Sequence, residues 1–451
     1  MRQTSTVQPP ARQNGDSARP GRGATPARTR VPRPAATEEL LKAVRTKYLG
    51  SGDFNGLYID RGFGQDVLDA ATELVRRGLL QVVSEADYPN PHIRPWASRR
   101  TIGQQIGSLE TIRPDDYGVC LYPTPEGMKG VRLPKRFSGR PYEQAIARGR
   151  GVLELAYFDF DVLEHYRNDP RYRFRYDDFG ADMSVSDEVY FDDAEPDRDK
   201  VSLSHIGFAY DLDGYDPGDA ESPVVRRVAA FYGDLARLTP EHQQRWRTYQ
   251  VADGGLRPHP VWYGTQMGRW PDGAGPLYRM IAEIENINDL WANAFGVSLF
   301  KSTERPRELG WLLRASQREW DEFVHQLDKL RSENLDHKAL DACGAPKTNP
   351  SGQNLSSMNR LQEFMLTKNV QPSAARAVMK PFREVREARQ RPAHALRSNV
   401  TNKTFIHKQI ALLEDINGSL INIRHWLATH PENRDRPLVH NDEAFGRYYR
   451  M

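Results

Sequence analysis

The chain has 451 residues, enough for two to four domains with cores of their own. Hydrophobic residues make up 38%, charged residues 27% and mean hydropathy is −0.71; no apolar run approaches the roughly 18 residues a membrane span needs, and no secretory-signal core opens the chain. Only Cys120 and Cys343 are present, in no disulfide or metal-ligand spacing, so the expected compartment is the reducing cytoplasm.

Residues 1–36 carry seven arginines (Arg2, Arg12, Arg19, Arg22, Arg28, Arg30, Arg33) against Asp16, a formal +6 that leaves the rest of the chain near −3. The segment is rich in Pro, Gly and Thr without apolar periodicity, and is expected to be a disordered basic tail. Arginine outnumbers lysine 50 to 13 throughout, a bias that base composition explains as readily as phosphate recognition does.

Residues 37–100 read as a winged-helix-like module. Thr37 is placed to cap a helix bearing Leu40, Leu41, Val44 and Tyr48, with Gly50 ending it. A second helix near Val67–Arg77 is followed by a hairpin of 79–83 and 92–96. That second helix carries Asp66, Asp69 and Glu73 against Arg76 and Arg77, which favours protein contact or architecture over DNA reading. Residues 101–218 read as β-rich, with strands at 152–158, 172–176 and 201–208. A helical connector is expected at 219–274, where Thr239-Pro240-Glu241 is a helix start.

Residues 275–430 read as an up-and-down helical bundle, ahead of a short tail at 431–451. Apolar stripes predict helices at about 276–295, after Glu308 (Leu309, Leu312, Leu313, Trp320, Phe323), and at 357–367, 373–391 and 402–428. The expected fold class is therefore α+β and multidomain.

One stretch of this bundle carries chemistry: Arg386-Glu387-Ala388-Arg389-Gln390-Arg391-Pro392-Ala393-His394. An arginine and a following histidine with four to six residues between them occur seven times here, so spacing alone decides nothing. Arg389/His394 stands out because polar Gln390 follows the arginine, Arg383, Arg386, Arg391 and Arg397 make the segment cationic, and it lies one helix before the end of a bundle. Arg424/His430 ranks second. The R-Q-x-x-x-H motif resembles the active-site motif of the HEPN superfamily. That resemblance implies a metal-independent endoribonuclease acting as a homodimer, without a cofactor, in a toxin or antiviral-defence setting. It implies catalytic roles for Arg389, His394 and Gln390, and RNA contacts from Arg386, Arg391 and Arg397. The N-terminal half is then expected to dock a regulatory partner or restrain activity. Pro381 and Pro392 depart from an uninterrupted helix.

The residue types suit the reaction. Histidine titrates near neutrality and moves protons, while arginine stays charged and presents a donor fork to phosphate. Two other readings stay open. The bundle is a non-catalytic interaction or dimerisation element, or Asp159 and Asp161, facing one way in an extended 157–161, hold Mg²⁺ for a metal-dependent nuclease.

Overall fold

The computed structural model describes residues 34–112, 118–176, 178–211, 225–269, 275–306, 308–393, 398–402 and 404–436. It is a mixed α+β structure of two antiparallel sheets and a helical C-terminal region.

The first sheet belongs to an N-terminal module of α1 (Pro34–Gly50), β1 (Leu57–Ile59), α2 (Gln65–Arg76), β2 (Leu80–Val83), α3 (Ile102–Glu110) and β3 (Val119–Pro123), with strand order β1-β3-β2. Leu40 and Val44 of α1 meet Leu68, Ala71 and Val75 of α2 over Val82 and Leu121, a core built from helical i, i+3, i+4 spacing. Helix α1 starts ahead of Thr37, which is buried within it and does not cap it. The expected hairpin of 79–83 with 92–96 does not form: β2 pairs with β3, drawn from beyond residue 100. Pro91 and Pro95 bracket the 92–94 segment and lack the N–H a ladder requires. Arg94 is instead a buried strut, donating to the Pro123 carbonyl at 3.0 Å and the Tyr48 hydroxyl at 3.1 Å.

The middle region contains α4 (Pro141–Ala147), β4 (Leu155–Phe158), α5 (Glu164–Asn168), β5 (Tyr172–Tyr176), β6 (Gly180–Val185), α6 (Asp187–Tyr190), β7 (Ser202–Asp211) and β8 (Val225–Phe231). It continues through α7 (Tyr232–Ala236), α8 (Pro240–Thr248), β9 (Gln250–Val251), β10 (Arg257–Pro258) and α9 (Pro260–Gln266). The seven-stranded sheet runs β5-β6-β7-β8-β4-β9, with β10 on β7. The stretch expected to be a helical connector thus supplies a strand, β8, between β7 and β4. Val228-Ala229-Ala230-Phe231 is a short buried apolar run, the pattern that periodicity cannot assign to helix or strand.

Among the described residues, six α-helices follow: α10 (Pro276–Phe295), α11 (Gln317–Arg331), α12 (His337–Ala342), α13 (Ser357–Thr367), α14 (Pro372–Ala393) and α15 (Thr404–Ala428). Ser316, Asp336 and Ser356 cap the starts of α11, α12 and α13, and left-handed Gly296 (φ 81°) ends α10. Leu309, Leu312 and Leu313 are buried but not helical, because the helix begins only after the Ser316 cap. Helix α14 runs through Pro381 without a break.

Helices α11 and α14 are antiparallel, Asp328 lying beside Arg389 and Arg331 beside Phe382. Helices α10 and α15 are parallel, Asn417 reaching Pro276, and Arg424 reaching Glu283. One continuous core joins sheet and helices through residues such as Phe208, Trp246, Ile284, Leu327, Phe382 and Leu420.

Candidate functional site

The motif helix α14 packs its cationic face beside the end of α11. Arg386, Arg389 and Gln390 line one cleft of about 620 Å³ together with Lys301, Asp328, Ser332, Glu333, His337, Ser356 and Ser357. The motif residues come from consecutive turns of one helix; the others come from the start of α12, the start of α13, the end of α11 and the loop at 301. Spacing i, i+3, i+4 puts Arg386, Arg389 and Gln390 on one face.

Arg389 does not stand free. Its Nη1 donates to the carboxylates of Asp328 and Glu333, whose side chains are 3% and 51% exposed. Those two bonds raise the arginine above its ordinary value, while the same arginine holds the Glu333 carboxyl below the usual range. Asp328 is further bound by the Ser332 hydroxyl. Nε and Nη2 of Arg389 have no partner among the described residues, which leaves one edge of the guanidinium fork for a second, bidentate acceptor.

Three cations, Lys301, Arg386 and Arg389, thus stand against two carboxylates. Ser356 and Ser357 add the N-terminal turn of α13, where backbone N–H groups carry partial positive charge.

His394 and Arg397 lie outside the described residues, and so does the side chain of Arg391. Beneath the cleft, Arg331 shares a helical face with Asp328 and Ser332. It is 1% exposed, burial pushes it down to about 9, and its guanidinium carbon lies 4.0 Å from the centre of the Phe382 ring.

The second-ranked pair is structural. Arg424 donates to Glu283 at 2.7 Å, with both side chains buried, and His430 packs on Phe295 and accepts from the Glu432 N–H. Asp159 and Asp161 do not share a strand face, because β4 stops at Phe158 and residues 160–163 turn. Each is paired with an arginine: Asp159 with Arg227 at 3.3 Å and Asp161 with Arg314 at 3.1 Å. No group of three His, Cys, Asp or Glu side chains suited to a metal occurs among the described residues. A second cleft of similar size, between α5, β5 and the start of α11, has Arg167 and Arg314 already paired with Glu319 and Glu164, so it offers less to an anion.

Lys301, His337, Ser356 and Ser357 escape sequence reasoning because they reach α14 from distant positions. The capping residues Asp336 and Ser356, ahead of α12 and α13, are the signal that could have marked their neighbourhood. No known family, curated protein or solved structure matches the chain. Among the described residues no helix is long and apolar enough to cross a membrane.

Proposed function

We propose that the cleft between α11 and α14 binds a phosphodiester and that the chain is a metal-independent endoribonuclease. The observation that carries this reading is the convergence of Arg386, Arg389 and Gln390 with Lys301 and the N-terminal turn of α13 on one cleft. The unengaged Nε/Nη2 edge of Arg389 is the element that stabilises charge on the non-bridging oxygens as the 2′-oxygen attacks phosphorus and the bond to the 5′-oxygen breaks. Asp328 and Glu333 fix that guanidinium in place, so no side-chain ordering is needed at the moment of reaction. Gln390 orients the substrate, and the motif assigns proton transfer to His394. A homodimer pairing two motifs supplies both proton-transfer groups, since one imidazole cannot conveniently serve as base and acid. Restraint of this activity is the role this reading gives the N-terminal half.

The test is RNA cleavage by the full chain in excess EDTA. Cleavage that persists, yields 2′,3′-cyclic phosphate ends and disappears in His394→Ala supports the reading; cleavage abolished by EDTA overturns it. One observation favours a non-catalytic interaction protein instead: Arg389 pairs with the buried Asp328 and so braces α14 against α11. On that reading wild-type protein leaves RNA intact.

A further inference from the structure

We infer that His337 donates a hydrogen bond from Nε2 to a phosphate oxygen held in the cleft, an inference that rests on the phosphodiester-binding reading above. His337 is exposed on the cleft wall and opens α12, where the Asp336 side chain accepts from the Lys338 N–H at 2.9 Å and fixes the first turn. Its Nδ1 faces Nη1 of Arg360 at 3.4 Å. Arg360 is itself immobilised: Nε donates to the Pro346 carbonyl at 3.2 Å, and Nη2 to Asp341 at 2.5 Å and the Ala345 carbonyl at 3.2 Å.

A guanidinium has donors and no acceptor, so a bond between the two requires the Nδ1 lone pair to accept. The imidazole proton then sits on Nε2, and that nitrogen has no lone pair with which to take a proton from a 2′-hydroxyl. His337 is therefore a donor, alongside Lys301, Arg386 and the free edge of Arg389. In the cleavage step it moves no proton. Its bond strengthens as negative charge grows on the phosphorane oxygens, the role a neutral imidazole fills when its tautomer is fixed from behind.

The experiment is fluorescence anisotropy of a labelled single-stranded RNA titrated with full-length protein, comparing His337→Gln, His337→Ala and Arg386→Ala. Glutamine keeps a neutral N–H donor of similar reach, so its affinity is expected within about threefold of wild type. Alanine loses about tenfold, the worth of one bond to a charged group. Wild-type affinity in His337→Ala overturns the contact, and a His337→Gln variant as weak as His337→Ala overturns the donor role. If instead Arg386→Ala binds as tightly as wild type, the cleft itself is not the phosphodiester site and the reading beneath this inference falls. Unchanged thermal midpoints in the exposed His337 variants separate a lost contact from a lost fold.

Discussion

Replacing Arg389 with alanine tests whether a motif residue doubles as a structural brace. Its Nη1 is the cation bound to Asp328, a carboxylate only 3% exposed. Removing one partner of a buried pair leaves an uncompensated charge, which costs about 3–5 kcal/mol. Arg389 is 31% exposed, so solvent moderates the pair and the lower end, about 3 kcal/mol, is expected. Glu333 is half exposed and adds little. The loss should appear as local opening between α11 and α14, where amide hydrogen exchange accelerates roughly 100-fold. Arg389→Lys should recover part of it by keeping a cation near Asp328. In the double variant Arg389→Ala/Asp328→Asn, the second change should cost less than it does alone, because the buried charge has gone. Exchange within twofold of wild type in Arg389→Ala would refute the brace. It would also free any activity loss in that variant to be read as chemistry alone.

Other consequences follow from buried charges. Arg331, 1% exposed and with no hydrogen-bond partner for its nitrogens among the described residues, should be replaceable by methionine with a gain of about 1–4 kcal/mol, read as a higher urea midpoint; a lower midpoint would mean the guanidinium has a counter-charge. Arg424→Ala strands the fully buried Glu283 carboxylate and should lower stability by about 3–5 kcal/mol, unlike the surface variant Arg175→Ala, whose pair with Asp182 is exposed. Burial holds the His242 imidazole below its ordinary value, with the Asp199 bond opposing. The unfolded chain thus binds the proton first, and stability should fall as pH drops from about 6.5. Glu333, held down by Arg389, adds loss only below about pH 4.5. Burial holds the neighbouring His165 imidazole down as well, so thermal midpoints against pH should show the upper step shrink, not vanish, in His242→Asn.

The helices were most legible where caps and apolar stripes agreed. Apolar stripes set the expected limits of α10, α13 and α15, and all three lie within two residues of them. Legibility failed where tertiary pairing decides. The β8 run reads equally as helix, and only its place between β7 and β4 makes it a strand. Pairing of β2 with β3 rather than with 92–96 is a long-range choice that local proline chemistry hints at but does not complete. In the site, Arg389 and Gln390 were picked out by the R-Q-x-x-x-H resemblance and Arg386 by the run of arginines around it. The carboxylates that hold Arg389, and the histidine and serines facing it, come from other helices.

We propose that the α11–α14 cleft cleaves RNA through the 2′-hydroxyl without a metal. Its most direct test is a pair of oligonucleotides differing by one 2′-deoxy sugar at the cleavage site, incubated with the full chain in EDTA. Equal binding, cleavage of the all-ribose strand to a 2′,3′-cyclic phosphate, and an intact deoxy-substituted strand are expected. Equal cleavage of both strands would contradict it.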